Sequence, residues 1–265
     1  MLNSKKIAVA ALLGAASLAS QAAVTLNGVL RDFCAPSIAG TCTQLNDFEG
    51  AIPGVVTGMV GSTLSGGLPT AGANIVAGNS TAANFAKWYT NSPGYNVSQA
   101  TTLTLAENTP GVFTYSNTSF FPLDNLLYGN QGRSHNYHFT LQLAGQIAFS
   151  DPTAGVDRTF SFSGDDDLWV FVDGKLALDL GGVHGPTSGS FTEETLKGLG
   201  LVAGTAYNLD IFFAERHTTQ SDFSITTTLD LIPSTRSVAL PEPGSLLLTG
   251  GALMAAALVG RRRRA

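Results

Sequence analysis

Three carboxylates stand side by side at Asp165, Asp166 and Asp167, after Gly164 and directly before the apolar run Leu168–Val172. Adjacent carboxylates repel, and a fold tolerates them where a cation or a set of backbone donors offsets their charge. Hard oxygen ligands on a turn suit Ca²⁺ better than zinc or iron. A solvated acidic turn is the alternative, and the pattern alone leaves both readings open. A second polar cluster, Glu215-Arg216-His217, runs on into Ser221-Asp222. It follows an apolar stretch ending at Phe213-Ala214, so it belongs at a strand end or on the next loop, where binding groups are displayed. Glu215 and Arg216 could form a simple ion pair. His217 and His184 could ligate a transition metal, but their spacing fits no compact ligand motif, and structural hydrogen bonding is the favoured reading.

Catalytic constellations are weak. The sequence has no Gly-x-Ser-x-Gly elbow, phosphate-binding loop or His-Glu-x-x-His. Acidic residues are plentiful, but nothing marks any two of them as the acid and base of a glycoside hydrolase, so a non-catalytic role is expected. Trp88-Tyr89 and Tyr95 lie in a polar stretch and could stack on sugar rings, although burial is the commoner fate of such residues. Cys34 and Cys42 are the only cysteines. In an oxidising compartment they are expected to close a short disulfide loop, since no further cysteine completes a zinc set.

The elements that must hold these residues read as strands. Tyr137, Phe139, Leu141 and Leu143 alternate onto one face, as do Phe160 and Phe162, and Tyr207, Leu209, Ile211 and Phe213. Phe223, Ile225, Thr227, Leu229 and Leu231 are expected to form one last strand. Leu168–Val172 is apolar on both faces, as in a strand buried between two layers. Asp173-Gly174, between two apolar runs, predicts a hairpin tip, because that turn needs positive φ at both central residues. Residues 51–83 are rich in Gly, Ala, Thr and Ser and read as long loops with at most one edge strand. Many short strands with Gly-rich turns predict an all-β antiparallel sandwich or barrel over 24–232.

The two ends are expected to be targeting segments rather than fold. Residues 1–23 carry Lys5 and Lys6, an apolar run from Ile7 to Leu18 and small residues at the exit, the order of a signal peptide cut after Ala22 or Ala23. After a linker at 233–240, residues 244–260 are uncharged, and a helix there would span roughly 25 Å, enough to approach a bilayer's thickness. Arg261, Arg262, Arg263 and Arg264 follow, a stop-transfer pattern that leaves the bulk outside. Between the ends, 8 basic residues face 18 acidic ones, a net charge near −10. That excludes nucleic acid as a partner, because phosphate binding needs a basic face.

Two stretches resemble known families. Pro241-Glu242-Pro243, the apolar span and the arginines together resemble a PEP-CTERM sorting signal. This implies an exosortase-type processing enzyme, transient anchoring in the inner membrane and the outer surface or matrix of a Gram-negative bacterium that makes exopolysaccharide. The exported part, over most of Val29 to Leu231, resembles the bacterial fibro-slime domain. The matching stretches are VLRDF at 29–33, NDFE at 46–49, Trp88-Tyr89, FFPLD at 120–124, HNYHFT at 135–140, GDDDLWVFVDGKLALDLGGVHG at 164–185 and FFAERHTTQSDF at 212–223. This family is similar to the anthrax protective-antigen-type β-sandwich, which includes yeast adhesin lectins. There an Asp-Asp pair, often joined by a cis peptide, binds Ca²⁺, and the ion contacts sugar hydroxyls. The resemblance implies Ca²⁺ at Asp165 and Asp166, with Asp222 taking the place of an Asn from a later loop. Asp167, His184, Glu215, Arg216 and His217 are then the expected ligand-binding neighbours. Asp167 stands where the wider family often has Gly, Asp222 where fibro-slime domains usually have Asn, and the cysteine pair lies outside the pattern. The function implied is a Ca²⁺-dependent carbohydrate-binding or adhesion module associated with exopolysaccharide. A structural matrix protein without sugar recognition is the alternative, with a polysaccharide hydrolase ranked below both.

Overall fold

The structure, a computed structural model, describes residues 23–35, 38, 40–49, 51–150, 158–236 and 238. The expected signal peptide lies outside the described residues except for its last position, Ala23, and the sorting motif, apolar tail and arginine cluster lie wholly outside them. Among the described residues no helix is long and apolar enough to cross a membrane.

Eleven strands form one antiparallel sheet: β1 (Ala23–Phe33), β2 (Asn96–Thr109), β3 (Val112–Asn117), β4 (Phe139–Ala148), β5 (Thr159–Gly164), β6 (Asp167–Val172), β7 (Lys175–Leu180), β8 (Thr187–Thr192), β9 (Tyr207–Glu215), β10 (Phe223–Thr227) and β11 (Asp230–Ile232). Two short helices, α1 (Ala82–Phe85) and α2 (Glu193–Gly198), complete the elements. The spatial order is β7-β6-β9-β4-β1-β2-β3-β10-β5-β8, with β11 beside β4. The expected two-layer sandwich is thus one sheet doubled back on itself. Its corner lies in β2, which pairs with β1 along Asn96–Ala106 but with β3 only through Ala106, Glu107 and Thr109. The free edges β7 and β8 nearly meet, since a Cβ on Gly189 of β8 would press on Leu178 and Leu180 of β7. The result is close to a barrel.

Two cores follow from the alternation of side chains across a strand. Between the layers, Leu168, Val170 and Val172 of β6 and Leu209, Ile211 and Phe213 of β9 meet Phe160, Phe162, Phe223 and Ile225 from β5 and β10. On the outer face, Trp169, Phe171, Phe212 and Ala214 pack under Phe48, Met59, Val60, Ile75, Phe85, Trp88 and Tyr89. This is why β6 is apolar on both faces: the described residues between Leu45 and Tyr89, poor in regular structure, form a cover over the outer side. The stretch read as loops touches the edge of β7, where Thr63 pairs with Lys175. Trp88 and Tyr89 are buried in this second core and offer no exposed ring to a sugar.

The Asp173-Gly174 tip adopts φ of 53° and 72° and joins Val172 to Lys175. The strand expected from Phe223 to Leu231 is instead broken. Thr227 donates its hydroxyl to the Thr159 carbonyl and accepts from the Leu229 N–H, so the chain kinks. β10 stays between β3 and β5 while β11 crosses to β4. Cys34 and Cys42 are joined by a disulfide with Cα atoms 5.8 Å apart.

Candidate functional site

The aspartate triplet occupies the turn from β5 to β6, and each carboxylate serves a different neighbour. Asp165 Oδ1 accepts the N–H of Asp222. Asp166 Oδ2 accepts the N–H groups of Arg216 and His217, both at 2.8 Å, and its Oδ1 accepts that of His184 at 3.3 Å. Asp167 Oδ1 accepts the N–H of Gly182, and its Oδ2 pairs with Arg216 Nη1 at 3.0 Å, both side chains fully buried. Three successive carboxylates therefore pin the 181–184 loop and the 215–222 loop to one turn. Two glycines permit the close approach. A Cβ on Gly164 would collide with the Asp222 carbonyl and the Phe162 ring, and one on Gly182, whose φ is +100°, with the Gly54 carbonyl. The Asp165–Asp166 peptide is trans.

Arg216 is the interior cation of this assembly. Nε donates to the Phe48 carbonyl, Nη1 to Gly78 and Asp167, and Nη2 to Asp47 and Asn79. Its guanidinium also lies 4.7 Å from the centre of the Trp88 ring. All five donors are engaged inside the protein, so Arg216 ties the outer cover to the site and has no N–H left for a ligand. Glu215 pairs with the sheet rather than with Arg216. It is wholly buried, and neither carboxylate oxygen has a hydrogen-bond partner of ordinary geometry. Burial pushes its carboxyl well above the usual range, with repulsion from Asp166 and Asp165 adding to the effect. Burial likewise raises Asp165, and it raises Asp166 to about 6, helped there by the charge of Asp167.

What faces outward is a cleft of about 180 Å³ lined by Asp165, Asp166, His184, His217, Thr219 and Gln220, with Ile52 and Val183 as its apolar wall. Asp165 Oδ2 is buried there with no hydrogen-bond partner of ordinary geometry, the Gln220 amide being its one side-chain neighbour that lowers its carboxyl, and His217 Nδ1 is buried without a partner. His184 is anchored by contacts of Nδ1 to the Gly185 carbonyl at 2.8 Å and of Nε2 to the Leu180 carbonyl at 3.3 Å. Of the residues singled out from the sequence, Asp165, Asp166, His184 and His217 line this cleft. Asp167, Glu215 and Arg216 lie beneath it, and Asp222 enters through its backbone. Among the described residues no three His, Cys, Asp or Glu side chains converge as a ready metal cage. Yet the carboxyls of Asp165, Asp166, Asp167 and Asp222 meet at this turn, and the one guanidinium there, Arg216, is committed to Asp167. The orphaned Asp165 oxygen and this charge excess fit a hard divalent cation supported by further backbone, water or ligand oxygens.

Sequence reading missed Asp179, which accepts from the Gly58 N–H at 2.7 Å and Trp169 Nε1 at 2.9 Å and so holds the outer cover against β6 and β7. An isolated Asp in a strand carries no local signal for such a role.

Residues 124–242 match the PA14 domain. Among curated proteins, psiQ of Dictyostelium discoideum is 35% identical over 229 residues, covering 80% of this chain, and psiR of the same organism is 35% identical over 234 residues, covering 79%. The chain spans 22% of the length of each of these relatives. Among solved structures, a PA14 sugar-binding domain from an RTX adhesin aligns over 80% of this chain and 96% of its own, at 10% identity and a TM-score of 0.34. The epithelial adhesin 6 A domain of Candida glabrata, in complex with Galb1-3GlcNAc, aligns over 86% and 85% at 16% identity and a TM-score of 0.29.

Proposed function

We propose that this chain, whose residues 124–242 match the PA14 domain, is a non-catalytic carbohydrate-binding adhesion module of the cell surface that works with Ca²⁺ at the Asp165–Asp166 cleft. The observation that carries this reading is the orphaned Asp165 oxygen at a cleft whose surrounding carboxylates outnumber their one cation. Asp165 and Asp166 would hold the ion, with Asp222 adjacent. Asp166 Oδ1, which accepts one N–H, keeps a lone pair for the ion, while Oδ2 commits both of its lone pairs to the Arg216 and His217 N–H groups. When bound, the ion supplies positive charge and open coordination positions for sugar hydroxyls.

The chain's own groups do the rest. Asp166 fixes the two loops that form the cleft, so the site is shaped before a ligand arrives. Thr219 and Gln220 supply hydroxyl and amide groups for sugar hydroxyls, and exposed Ile52 offers an apolar wall to a sugar face. Export through the leader at 1–23, exosortase-type processing at Pro241-Glu242-Pro243 and association with exopolysaccharide complete the reading, on the sequence patterns alone.

Calorimetry of the full chain with Ca²⁺, beside Asp165→Asn, is the direct test. Saturable heat in the parent and its loss in the variant are expected. No heat in either removes the calcium part. A glycan array in Ca²⁺ and in EDTA then separates recognition from a structural role: chelator-sensitive binding supports the module, and a blank array favours a matrix protein without sugar recognition.

A further inference from the structure

A groove of about 350 Å³ lies away from the aspartate cleft, on the outer face of β1, β4 and β9. Arg31, Gln142 and Asp210 stand on that face, as the register Arg31–Thr140, Gln142–Phe212 and Ala144–Asp210 requires. Arg31 is 3% exposed. Its Nε donates to Asn91 Oδ1 at 3.2 Å and its Nη1 to Gln142 Oε1 at 3.4 Å, both neutral amides. No described carboxylate pairs with it, and Nη2 makes no hydrogen bond to a described residue. The nearest acid in the groove, Asp210, is taken by Arg236 at 2.7 Å. Tyr89 also lines the groove, and its buried hydroxyl has no hydrogen-bond partner.

A buried guanidinium without an anion is costly, because desolvation is not repaid by a partner. Burial pulls Arg31 down to about 10. With Asp210 neutralised by Arg236, the groove keeps one net positive charge inside a strongly acidic protein. A guanidinium with free N–H groups matches a carboxylate, and the phenol beside it adds a donor. The Asn91 and Gln142 amides suit hydroxyls, and the volume is at the small end of ligand sites. The geometry points to a second binding site, independent of the Asp165 cleft, that takes the carboxylate of a uronic-acid sugar on Arg31. The acidic surface opposes approach of an anion at long range, but screening beyond about 8 Å at physiological salt leaves the short-range pairing intact.

The test is titration of the full chain in EDTA with D-galacturonate, D-galactose and N-acetyl-L-glutamate, followed by backbone amide NMR shifts. Saturable galacturonate binding that moves the amides of Arg31, Asn91 and Gln142 is expected, without saturation by galactose. Arg31→Met and Arg31→Lys should weaken it roughly tenfold or more, the loss expected for hydrogen bonds to a charged group. Asp165→Asn should leave it unchanged, which separates this site from the calcium cleft. Should Arg31→Met not fold, Arg31→Lys, which keeps a buried cation but loses the planar fork, carries the same reading. Galacturonate binding that is absent, or equal in the Arg31 variants, overturns the inference. N-acetyl-L-glutamate binding as tightly as the sugar acid overturns it in favour of an acidic peptide.

Discussion

At the scale of residues, this protein handles charge by burying it. Arg216 and Asp167 form a fully buried pair at 3.0 Å. Arg216→Met removes one partner and strands the other, so a loss of about 3–5 kcal/mol in denaturant unfolding is expected. Carboxyls shape the pH profile, and three of them set its limits. Burial holds Asp32 at about 7 and Asp166 at about 6, against an ordinary value of 3.8. The folded state keeps protons there that the unfolded chain releases, so stability falls as pH rises from about 3.8 through 6 to 7, and the buried carboxyls of Asp165, Asp210 and Glu215, also raised, act in the same direction. Glu49 is the opposite case. The hydrogen bond from His138, then the nearby Arg133, hold it at about 2, so its contribution is present above 4.5 and lost as pH falls toward 2. Thermal unfolding in EDTA across this range should therefore peak near pH 4 to 5, bounded by these carboxyls. A peak at pH 8 would contradict the buried-acid account. At this scale the sequence disclosed the acidic triplet but not its partners. Asp165, Asp166 and Asp167 collect main-chain amides from loops 15 to 57 residues away, and a backbone donor has no residue type to read. Arg31 was equally silent, since an arginine in a strand looks like a solvated one until its neighbours are known.

At the scale of elements, alternation predicted the strands with a clear apolar face and missed the others. β4, β5 and β9 were legible because Phe, Leu, Ile and Val recur every second residue, and β6 because it is an unbroken apolar run before an Asp-Gly turn. β2, β3 and β8 are rich in Thr, Ser and Asn and only half-buried, so their pattern resembles loop composition. The break between β10 and β11 was illegible because apolar alternation continues through it, and the kink is made by one threonine hydroxyl. Phe223 of β10 shows what the interlayer core depends on. Its ring meets Phe120, Phe162 and Phe213 at centroid distances of 4.9, 5.1 and 5.2 Å. Phe223→Ala should lower stability by about 3–5 kcal/mol in urea unfolding. A loss below about 1 kcal/mol would mean that the two layers are less interdependent than their packing implies.

At the scale of the whole molecule, the N-terminal strand sits in the middle of the sheet. β1 is flanked by β2 and by β4, and β4 in turn by β9, which begins at Tyr207. A chain delivered from its N-terminus, by a ribosome or through a translocation pore, presents β1 long before the strands that must lie nearest it. Until β9 emerges, the central strands are missing a neighbour and the two layers cannot close. Such late, non-local pairing slows folding to the millisecond-to-second range or beyond, and an open, sticky intermediate is exposed meanwhile. Order of emergence and order of assembly thus run against each other, so closure of the two layers is a single late event.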